Sequence, residues 1–404
     1  MGLLRAHKSK TVSLGESSIT NKLVILMGLF SLLPMVGNWY YIRVALPALI
    51  FAVELIMKRN FSVRKEIIVF FLLWGISLFG SQLIVVGTQT SANIIAFRKE
   101  ILRLIVYLII ALSVQKYNVN FKILTGVSVF MLIFHFGIQM LQFFKYEIVF
   151  DFIINNYMDG TNSMRHLGLA YNDTLANFRS GSIFINPNVY VPYAMFFLVV
   201  FLQNVLNRKS ITERSIYMIL SLLSGISIVF CGSRTGFIGM IIITILYLTK
   251  DKKMPLQFKI IFEFVVLFIL YYVTKNSDAR LLQISSGLED SYGGKMSGIL
   301  HYIYNINPIS FFIGNNINIG SNQWHYDFEW GYIFVYYGIL GLFFYTFLHR
   351  MIIKRFNNRT KNMNKLKFFN QGILILFIVE SMSATVFMNL PVFYFLSIVF
   401  FAKE

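Results

Sequence analysis

The sequence predicts an all-helical, polytopic integral membrane protein. Of its 404 residues, 56% are hydrophobic and 17% aromatic, and only 13% are charged, which is too few for the surface of a soluble domain. Apolar runs long enough to cross a hydrocarbon core of about 30 Å recur along the whole chain. These runs predict about twelve transmembrane helices, near 23–38, 41–57, 67–87, 101–115, 123–144, 189–206, 215–231, 236–249, 258–274, 331–349, 370–386 and 388–402.

The distribution of basic residues predicts how these helices are oriented. With a cytoplasmic N-terminus, 25 of the 36 lysines and arginines fall in inner segments, as the positive-inside rule requires. The net charge of +18 then reflects topology and attraction to anionic lipid, and it gives no reason to invoke nucleic acid. The C-terminus is also expected to be cytoplasmic, and we expect no cleaved signal peptide.

Two outer segments are long in this topology, 145–188 and 275–330, and both are rich in Asn, Gly and Ser. Each is near the lower limit of size for independent folding. The chain 1–404 is therefore expected to form a single membrane domain with both loops packed over the helix bundle. The single cysteine, Cys231, excludes a disulfide framework and makes a thiolate metal site implausible, so no metal or cofactor is predicted.

Eleven basic residues lie outside against the usual bias, and some of them suit an anion site. Arg179 opens RSGSIFINPN, which leads into the sixth predicted helix, and Arg234 lies in the CGSRTG turn between two closely spaced helices. A guanidinium group holds phosphate oxygens through a planar fork of donors. The alternative role is an interfacial anchor that reaches lipid headgroups. The eleven are Arg43, Arg98, Lys99, Arg103, Lys145, Arg165, Arg179, Arg234, Lys275, Arg280 and Lys295.

The densest set of ionisable and aromatic side chains lies between Phe311 and Gly341, at the mouth of the tenth predicted helix. An Asn- and Gly-rich approach leads to His325, Asp327 and Glu329 directly ahead of the apolar run. If the helix starts by His325, that residue and Glu329 share a face and Asp327 is turned away. Any of the three is a candidate base. The alternative is an interfacial belt, in which the aromatic residues sit at the headgroup level and the acids face water.

Two ionisable residues lie within predicted helices, where a polar group needs a partner. His135 in the fifth helix is expected to make a structural hydrogen bond in preference to relaying protons. Glu380 in the eleventh helix is expected to face a water-filled groove or to pair with a basic side chain such as Arg43 or Arg103.

RSGSIFINPN, the SRTG turn and DFEWGYIFVYYGILGL after a long outer loop resemble the O-antigen polymerase and O-antigen ligase superfamily, with the Wzy-type polymerase as the closer match. The resemblance covers the architecture of the whole chain, with its motifs between Arg179 and Gly341. It implies a GT-C-like, metal-independent glycosyltransferase of the bacterial cytoplasmic (inner) membrane that polymerises O-antigen or capsular polysaccharide. The implied partners are undecaprenyl-pyrophosphate-linked glycans, a chain-length regulator and a flippase.

The resemblance also implies roles for single residues. Arg179 matches the arginine before a Pro-Asn element, and Arg234 matches the arginine of the Ser-Arg turn. Asp327 matches the acid ahead of the glycine-flanked helix, which makes it the first candidate base, before His325 and Glu329. The implied substrate-binding residues are Arg179, Arg234, Asn186 and Asn188, with Arg165 and Arg280 as further ones.

One departure from the family concerns the second outer loop. The family often has Gly-Arg there, whereas this chain has Gly294 followed by Lys295, so a third arginine would have to come from Arg280.

Two other functions stay open at this stage. A ligase that joins finished glycan to a lipid core usually has a histidine ahead of the final polar helix start, and His325 occupies a similar place. A flippase or transporter would move lipid-linked glycan without chemistry. It should show inverted repeats and interrupted helices at the bilayer midplane, and the sequence shows neither.

Overall fold

The computed structural model describes residues 63–83, 91–115, 120–157, 178–184, 186–250, 308–314, 329–362 and 364–382, with isolated residues elsewhere. All regular structure in these ranges is helical, which confirms the predicted all-helical class. The predicted helices 23–38, 41–57, 258–274 and 388–402 lie wholly or mostly outside the described residues. The described helices are α1 Lys65–Leu83, α2 Ser91–Val114, α3 Phe121–Phe143, α4 Glu147–Tyr157, α5 Pro187–Asn207, α6 Ile211–Phe230, α7 Arg234–Lys250, α8 Pro308–Ile313, α9 Glu329–Asn362 and α10 Lys367–Ser381.

By length and composition alone, four helical segments of the described residues are apolar enough to cross a membrane, namely α3, α5, α6 and Glu329–Thr360 of α9. The last of these is interrupted at Gly338. Of the apolar window of α5, 89% is buried inside the protein, compared with 39% for α3 and α6, so α5 lies at the centre of the bundle. The outer helices present bare apolar faces, including Ile133 of α3 and Ile219 of α6, which are 59% and 57% exposed. Such faces suit lipid better than water, as expected for a membrane protein.

Asparagine side chains define where two of these helices begin. The side chain of Asn120 accepts a hydrogen bond from the backbone N–H of Lys122, 3.0 Å away, at the start of α3. At the start of α5, Asn186 does the same for the N–H of Asn188, also at 3.0 Å. A side-chain oxygen at this position satisfies an N–H group that the first turn of a helix leaves without a partner.

Contacts between helix ends show that basic residues gather at one end of the bundle. Lys354 of α9 forms a 3.0 Å ion pair with Glu66 of α1, and the side chain of Gln203 in α5 donates to the backbone oxygen of Lys365 beside α10, at 3.0 Å. The start of α1 therefore meets the long part of α9, and the end of α5 meets the start of α10, at the same end of the bundle. We call this end the basic end (Lys65, Lys122, Arg208, Lys354 and Lys367) and the opposite end the loop end.

Helix α2 is longer than predicted, because it begins at Ser91 whereas its apolar run begins at 101. Arg103, which was expected in an outer segment, lies inside the helix and forms a 2.6 Å ion pair with Glu100. The Tyr337 hydroxyl donates to the other Glu100 oxygen, also at 2.6 Å. A hydropathy scale penalises each charged residue by itself. Inside a helix bundle, however, a charged side chain is tolerated when it is paired and hydrogen-bonded.

The same ion pair removes one of the partners considered for Glu380, and the water-filled groove stays a prediction. Arg103, one of the two partners considered for it, is engaged by Glu100, and the other, Arg43, lies outside the described residues. Glu380 is 1% exposed, and its Oε1 has no hydrogen-bond partner among the described residues.

Helix α9 folds back on itself at Gly338, where the backbone leaves the helical conformation (φ 64°, ψ −156°). The Tyr345 hydroxyl donates to the Glu329 carboxylate, sixteen residues earlier, and the ring centroids of Trp330 and His349 are 4.7 Å apart. In a straight helix, sixteen residues span about 24 Å. We call 329–337 the short arm and 339–362 the long arm of this helical hairpin.

The hairpin contradicts the expectation for this segment. Residues 331–349 do not form one membrane-crossing helix, because only the long arm continues to the basic end, where Lys354 meets Glu66. The interruption lies at Gly338. An alanine-like Cβ at Gly338 would lie 2.5 Å from the backbone carbon of Phe312, so α8 packs directly against the reversal.

Candidate functional site

The two predicted arginine motifs meet at the loop end. Arg179 Nε donates to the backbone oxygen of Cys231 at 3.3 Å, across a separation of 52 residues. The backbone N–H of Ser180 donates to the oxygen of Phe230 at 2.9 Å. The fold therefore places Arg179 on the turn that leads into Arg234.

Gly232 makes this approach possible. Its φ of +57° suits glycine, and a Cβ there would lie 2.7 Å from Cγ of Arg179. The Arg179 side chain is 8% exposed, so the turn fixes its direction as well as its position. We call this group the arginine cluster (Arg179, Asn188, Cys231, Gly232 and Arg234).

The two asparagines of the Pro-Asn element have different roles: Asn186 begins the helix, and Asn188 orients Arg179. Asn186 caps α5, and Pro187 occupies the first helical position, where the missing N–H costs nothing. Asn188 Oδ1 accepts a hydrogen bond from Nη2 of Arg179 at 3.4 Å. Of the two asparagines predicted to bind substrate, Asn188 therefore contacts the guanidinium group, and Asn186 serves the helix.

Arg234 is the first residue of α7. The hydroxyl of Ser233 accepts a hydrogen bond from the N–H of Gly236 at 3.3 Å. The N-terminal ends of α5 and α7 both lie at the loop end beside Arg179. The partial positive charge of a helix N-terminus favours anions, and it adds here to the charge of two guanidinium groups.

A stripe of polar residues on α3 supports the Arg179 segment from inside the bundle. Gln139 Nε2 donates to the oxygen of Ser180 at 3.0 Å, and Gln142 pairs with the Ser180 hydroxyl. His135 Nδ1 lies 3.0 Å from the Ser182 hydroxyl, which agrees with the expected structural hydrogen bond. The signal that could have revealed the two glutamines is their spacing from His135, which puts all three on one face of α3.

Glu329 lies in a second polar group, which we call the carboxylate cluster (Glu329, Tyr345, His349 and Ser381). Glu329 is fully buried and accepts the hydrogen bond from Tyr345. His349 Nδ1 lies 3.0 Å from the backbone oxygen of Tyr345, and its Nε2 lies 3.3 Å from the Ser381 hydroxyl. Glu329 thus does not face water, contrary to the interfacial-belt alternative.

Trp330 also packs inside the hairpin, where it is partly buried. Its ring centroid is 4.7 Å from those of Tyr345 and His349. Sequence reasoning missed Tyr345, His349 and Ser381, because their association with Glu329 depends on the chain reversal at Gly338.

The end of α10 lies between the two clusters. Ser381 lies 3.3 Å from Nε2 of His349 in the carboxylate cluster. A Cβ at Gly239 of α7 would lie 3.3 Å from Val379, which shows how closely α10 packs beside the helix that Arg234 begins. The end of α10 therefore contacts the carboxylate cluster and packs beside α7.

Four predicted site residues, Arg165, Arg280, His325 and Asp327, lie outside the described residues. Their predicted roles in substrate binding and as candidate bases stay predictions. The described site thus consists of Arg179, Arg234, Asn188 and the buried Glu329 with its partners.

Comparison with known protein families finds no model that matches this chain, and comparison with curated proteins finds no match either.

Proposed function

We propose that the chain is a polysaccharide polymerase that acts at the outer face of the bacterial cytoplasmic membrane. It would transfer a growing O-antigen or capsular glycan from undecaprenyl pyrophosphate to the next lipid-linked repeat unit. The contact between Arg179 and the Cys231 oxygen is the observation that supports this most, because it brings the two arginine motifs to one place at the end of the helix bundle.

The chemistry needs an anion site of this kind. When the acceptor hydroxyl attacks the anomeric carbon, the bond to the pyrophosphate oxygen breaks and the leaving group takes the electron pair. Negative charge on the pyrophosphate is therefore greater in the transition state than in the ground state. Guanidinium groups held in place beforehand stabilise that charge selectively, and they do so without a metal ion.

The acceptor hydroxyl also has to lose its proton. Asp327 is the first candidate for this role, followed by His325 and Glu329. Glu329 is the member of this set that the structure describes, and it is already hydrogen-bonded to Tyr345. Through Tyr345 and His349 it is also connected to Ser381, at the end of α10 beside α7.

The proposal includes the topology. About twelve helices cross the membrane, both termini are cytoplasmic, and the segments 145–188 and 275–330 cover the bundle on the outer side. A flippase would deliver the lipid-linked repeat units to this side, and a chain-length regulator would limit the product. The loop end would then face outward and the basic end would face the cytoplasm.

Two asparagines, one at each end, test this orientation. Asn155 is exposed on α4, and Asn357 is exposed on the long arm near the basic end. In intact spheroplasts, Asn155→Cys should react with a membrane-impermeant thiol reagent, and Asn357→Cys should react only after the cells are opened. The native Cys231 is fully buried, so the unsubstituted protein serves as the unlabelled control. The reverse labelling pattern would invert the topology.

Activity is tested by incubating purified protein with lipid-linked repeat units alone. A polymerase converts them into a ladder of products that differ by one repeat unit. Single transfer only to an added lipid core would instead identify a ligase. Movement of the substrate across vesicle membranes without any new glycosidic bond would identify a transporter. Either of these results contradicts the proposed function.

A further inference from the structure

One glutamine of α3 joins the two segments that carry the arginines. The side-chain nitrogen Nε2 of Gln139 donates to the backbone oxygen of Ser180, the residue after Arg179, at 3.0 Å. The same nitrogen lies 3.3 Å from the backbone oxygen of Ser227, in the last turn of α6. It also lies 3.7 Å from Sγ of Cys231, in the turn between α6 and α7. Gln139 therefore bridges the two arginine motifs from inside the bundle.

The partners of the Gln139 amide fix how it is oriented. Backbone oxygens only accept hydrogen bonds, so the amide nitrogen has to face the oxygens of Ser180 and Ser227. The amide oxygen then faces the Ser227 hydroxyl, which donates to it and lies 3.0 Å from the Tyr190 hydroxyl. In the low-dielectric interior of a protein, an amide whose donors and acceptor are all used is held in one geometry.

Every polar group of Ser180, the residue after Arg179, is engaged. The backbone N–H of Ser180 donates to the oxygen of Phe230 at 2.9 Å, and the backbone oxygen of Ser180 accepts from Gln139. The Ser180 hydroxyl donates to Oε1 of Gln142. The backbone that carries Arg179 is therefore held by α3 on one side and by the end of α6 on the other.

We propose that Gln139 is the positioning residue of the arginine cluster. Its amide holds the Arg179 segment against the turn between α6 and α7, and thereby sets where Arg179 lies relative to Arg234. Gln139 is fully buried and acts through the arginines without touching the substrate. This role deepens the proposed function and rests on it in taking pyrophosphate as the ligand of the two guanidinium groups.

Two arginines that act together select for an anion that reaches both of them. Pyrophosphate has two phosphate groups and can contact both guanidinium groups at once, whereas inorganic phosphate can be held by one of them. A change in the position of Arg179 relative to Arg234 should therefore weaken pyrophosphate binding much more than phosphate binding. It should also slow glycan transfer, since a misplacement of about 1 Å costs about 10²-fold in rate.

The first test compares these two anions. Gln139→Leu keeps the approximate size of the side chain and removes its amide. The Kd values for inorganic pyrophosphate and for inorganic phosphate are measured on detergent-purified protein. We expect Gln139→Leu to weaken pyrophosphate binding by at least about tenfold, the scale of one lost hydrogen bond to a charged group, and to leave phosphate binding nearly unchanged.

Gln203→Leu is the matched control for this test. Gln203 of α5 is 2% exposed and also bridges two segments, because its amide donates to the backbone oxygen of Lys365 at 3.0 Å and accepts from the N–H of Phe369 at 2.8 Å. It lies at the basic end, so its loss should lower thermal stability without changing the preference for pyrophosphate. If that preference falls equally in both variants, Gln139 has only a structural role.

The second test does not depend on any anion. Cys231 is the single cysteine of the chain and is fully buried, and its Sγ lies beside the Gln139 amide. Its reaction with a small thiol reagent under native conditions therefore reports local opening of this turn. Labelling should be faster in Gln139→Leu than in the wild-type protein or in Gln203→Leu. Equal rates in all three proteins would overturn the bridging role, whether or not the protein binds pyrophosphate.

Ser227→Ala is a milder variant for the case in which Gln139→Leu does not fold. It removes the hydroxyl that donates to the Gln139 oxygen and leaves the amide itself in place. The preference for pyrophosphate should fall and the labelling of Cys231 should become faster, both by less than in Gln139→Leu. A Ser227→Ala protein that matches the wild type in both measurements would contradict the positioning role.

Arg179→Ala separates the failure of this role from the failure of the proposed function. If Arg179→Ala weakens pyrophosphate binding and Gln139→Leu does not, the anion site stands and the positioning role is overturned. If the wild-type protein binds no pyrophosphate, the anion site fails, and the positioning role fails with it. Loss of the preference for pyrophosphate in Gln139→Leu, with the preference retained in Gln203→Leu, is the result that we expect.

Discussion

Replacing Arg179 or Arg234 with lysine should stop glycan polymerisation nearly as completely as replacing it with alanine. Lysine keeps the positive charge, but a compact ammonium group cannot reproduce the planar fork that holds two phosphate oxygens at once. Arg179 is also aimed by the Cys231 oxygen and by Asn188, and lysine has no Nε–H donor to meet that carbonyl. We expect single-turnover rates to fall by at least about 10²-fold, the usual effect of losing one donor to a developing anion.

Arg208→Lys is the matched control for this prediction. Arg208 lies at the basic end, where it forms an exposed 3.4 Å ion pair with Glu213. Such surface pairs contribute little, so polymerisation should be unchanged. If lysine at both Arg179 and Arg234 retained the wild-type rate and product length, these residues would not bind pyrophosphate in the proposed way.

Gly338→Ala should prevent the protein from folding correctly. The conformation of Gly338 (φ 64°, ψ −156°) belongs to a region that is nearly exclusive to glycine, and strain of this kind costs about 1–3 kcal/mol. The added methyl group would also lie 2.5 Å from backbone atoms of Phe312 and Gly314, which have no flexible end that could move aside. We expect a total loss above about 3 kcal/mol, a large part of a typical folding free energy.

The loss is measured by thermal unfolding of detergent-purified protein and by the fraction that elutes as a single species. Gly137→Ala is the control, because a Cβ at Gly137 of α3 would meet nothing within 4 Å. Alanine should be neutral or slightly stabilising there, since it favours a helix by about 1 kcal/mol over glycine. A Gly338→Ala protein as stable as Gly137→Ala would mean that the hairpin reversal is not required.

Helix positions followed from the sequence wherever an apolar run is uninterrupted. The run 189–206 corresponds to α5 at Pro187–Asn207, and 123–144 corresponds to α3 at Phe121–Phe143. In an apolar environment each segment has to satisfy its own backbone hydrogen bonds, so a local pattern is enough to predict a helix. The caps Asn120 and Asn186 mark helix starts for an equally local reason.

Helix ends and reversals that depend on distant partners did not follow from the sequence. Glu100 can lie buried within α2 because Arg103 neutralises it and Tyr337, which comes from the hairpin, donates a hydrogen bond to it. The apolar residues on both sides of Gly338 form one continuous run. Hydropathy therefore cannot distinguish a straight helix from one that folds back.

By itself the sequence determined that the chain is all-helical, that it is apolar enough for a membrane, that Arg179 lies ahead of a helix and that Arg234 lies between two helices. These properties depend on the transfer free energy of single residues and on local hydrogen bonds. Only the tertiary structure decided that Arg179 contacts the Cys231 carbonyl and that Glu329 lies inside against Tyr345. Such contacts join residues far apart in the chain, and their geometry depends on how the helices pack and where the backbone reverses, which no local pattern records.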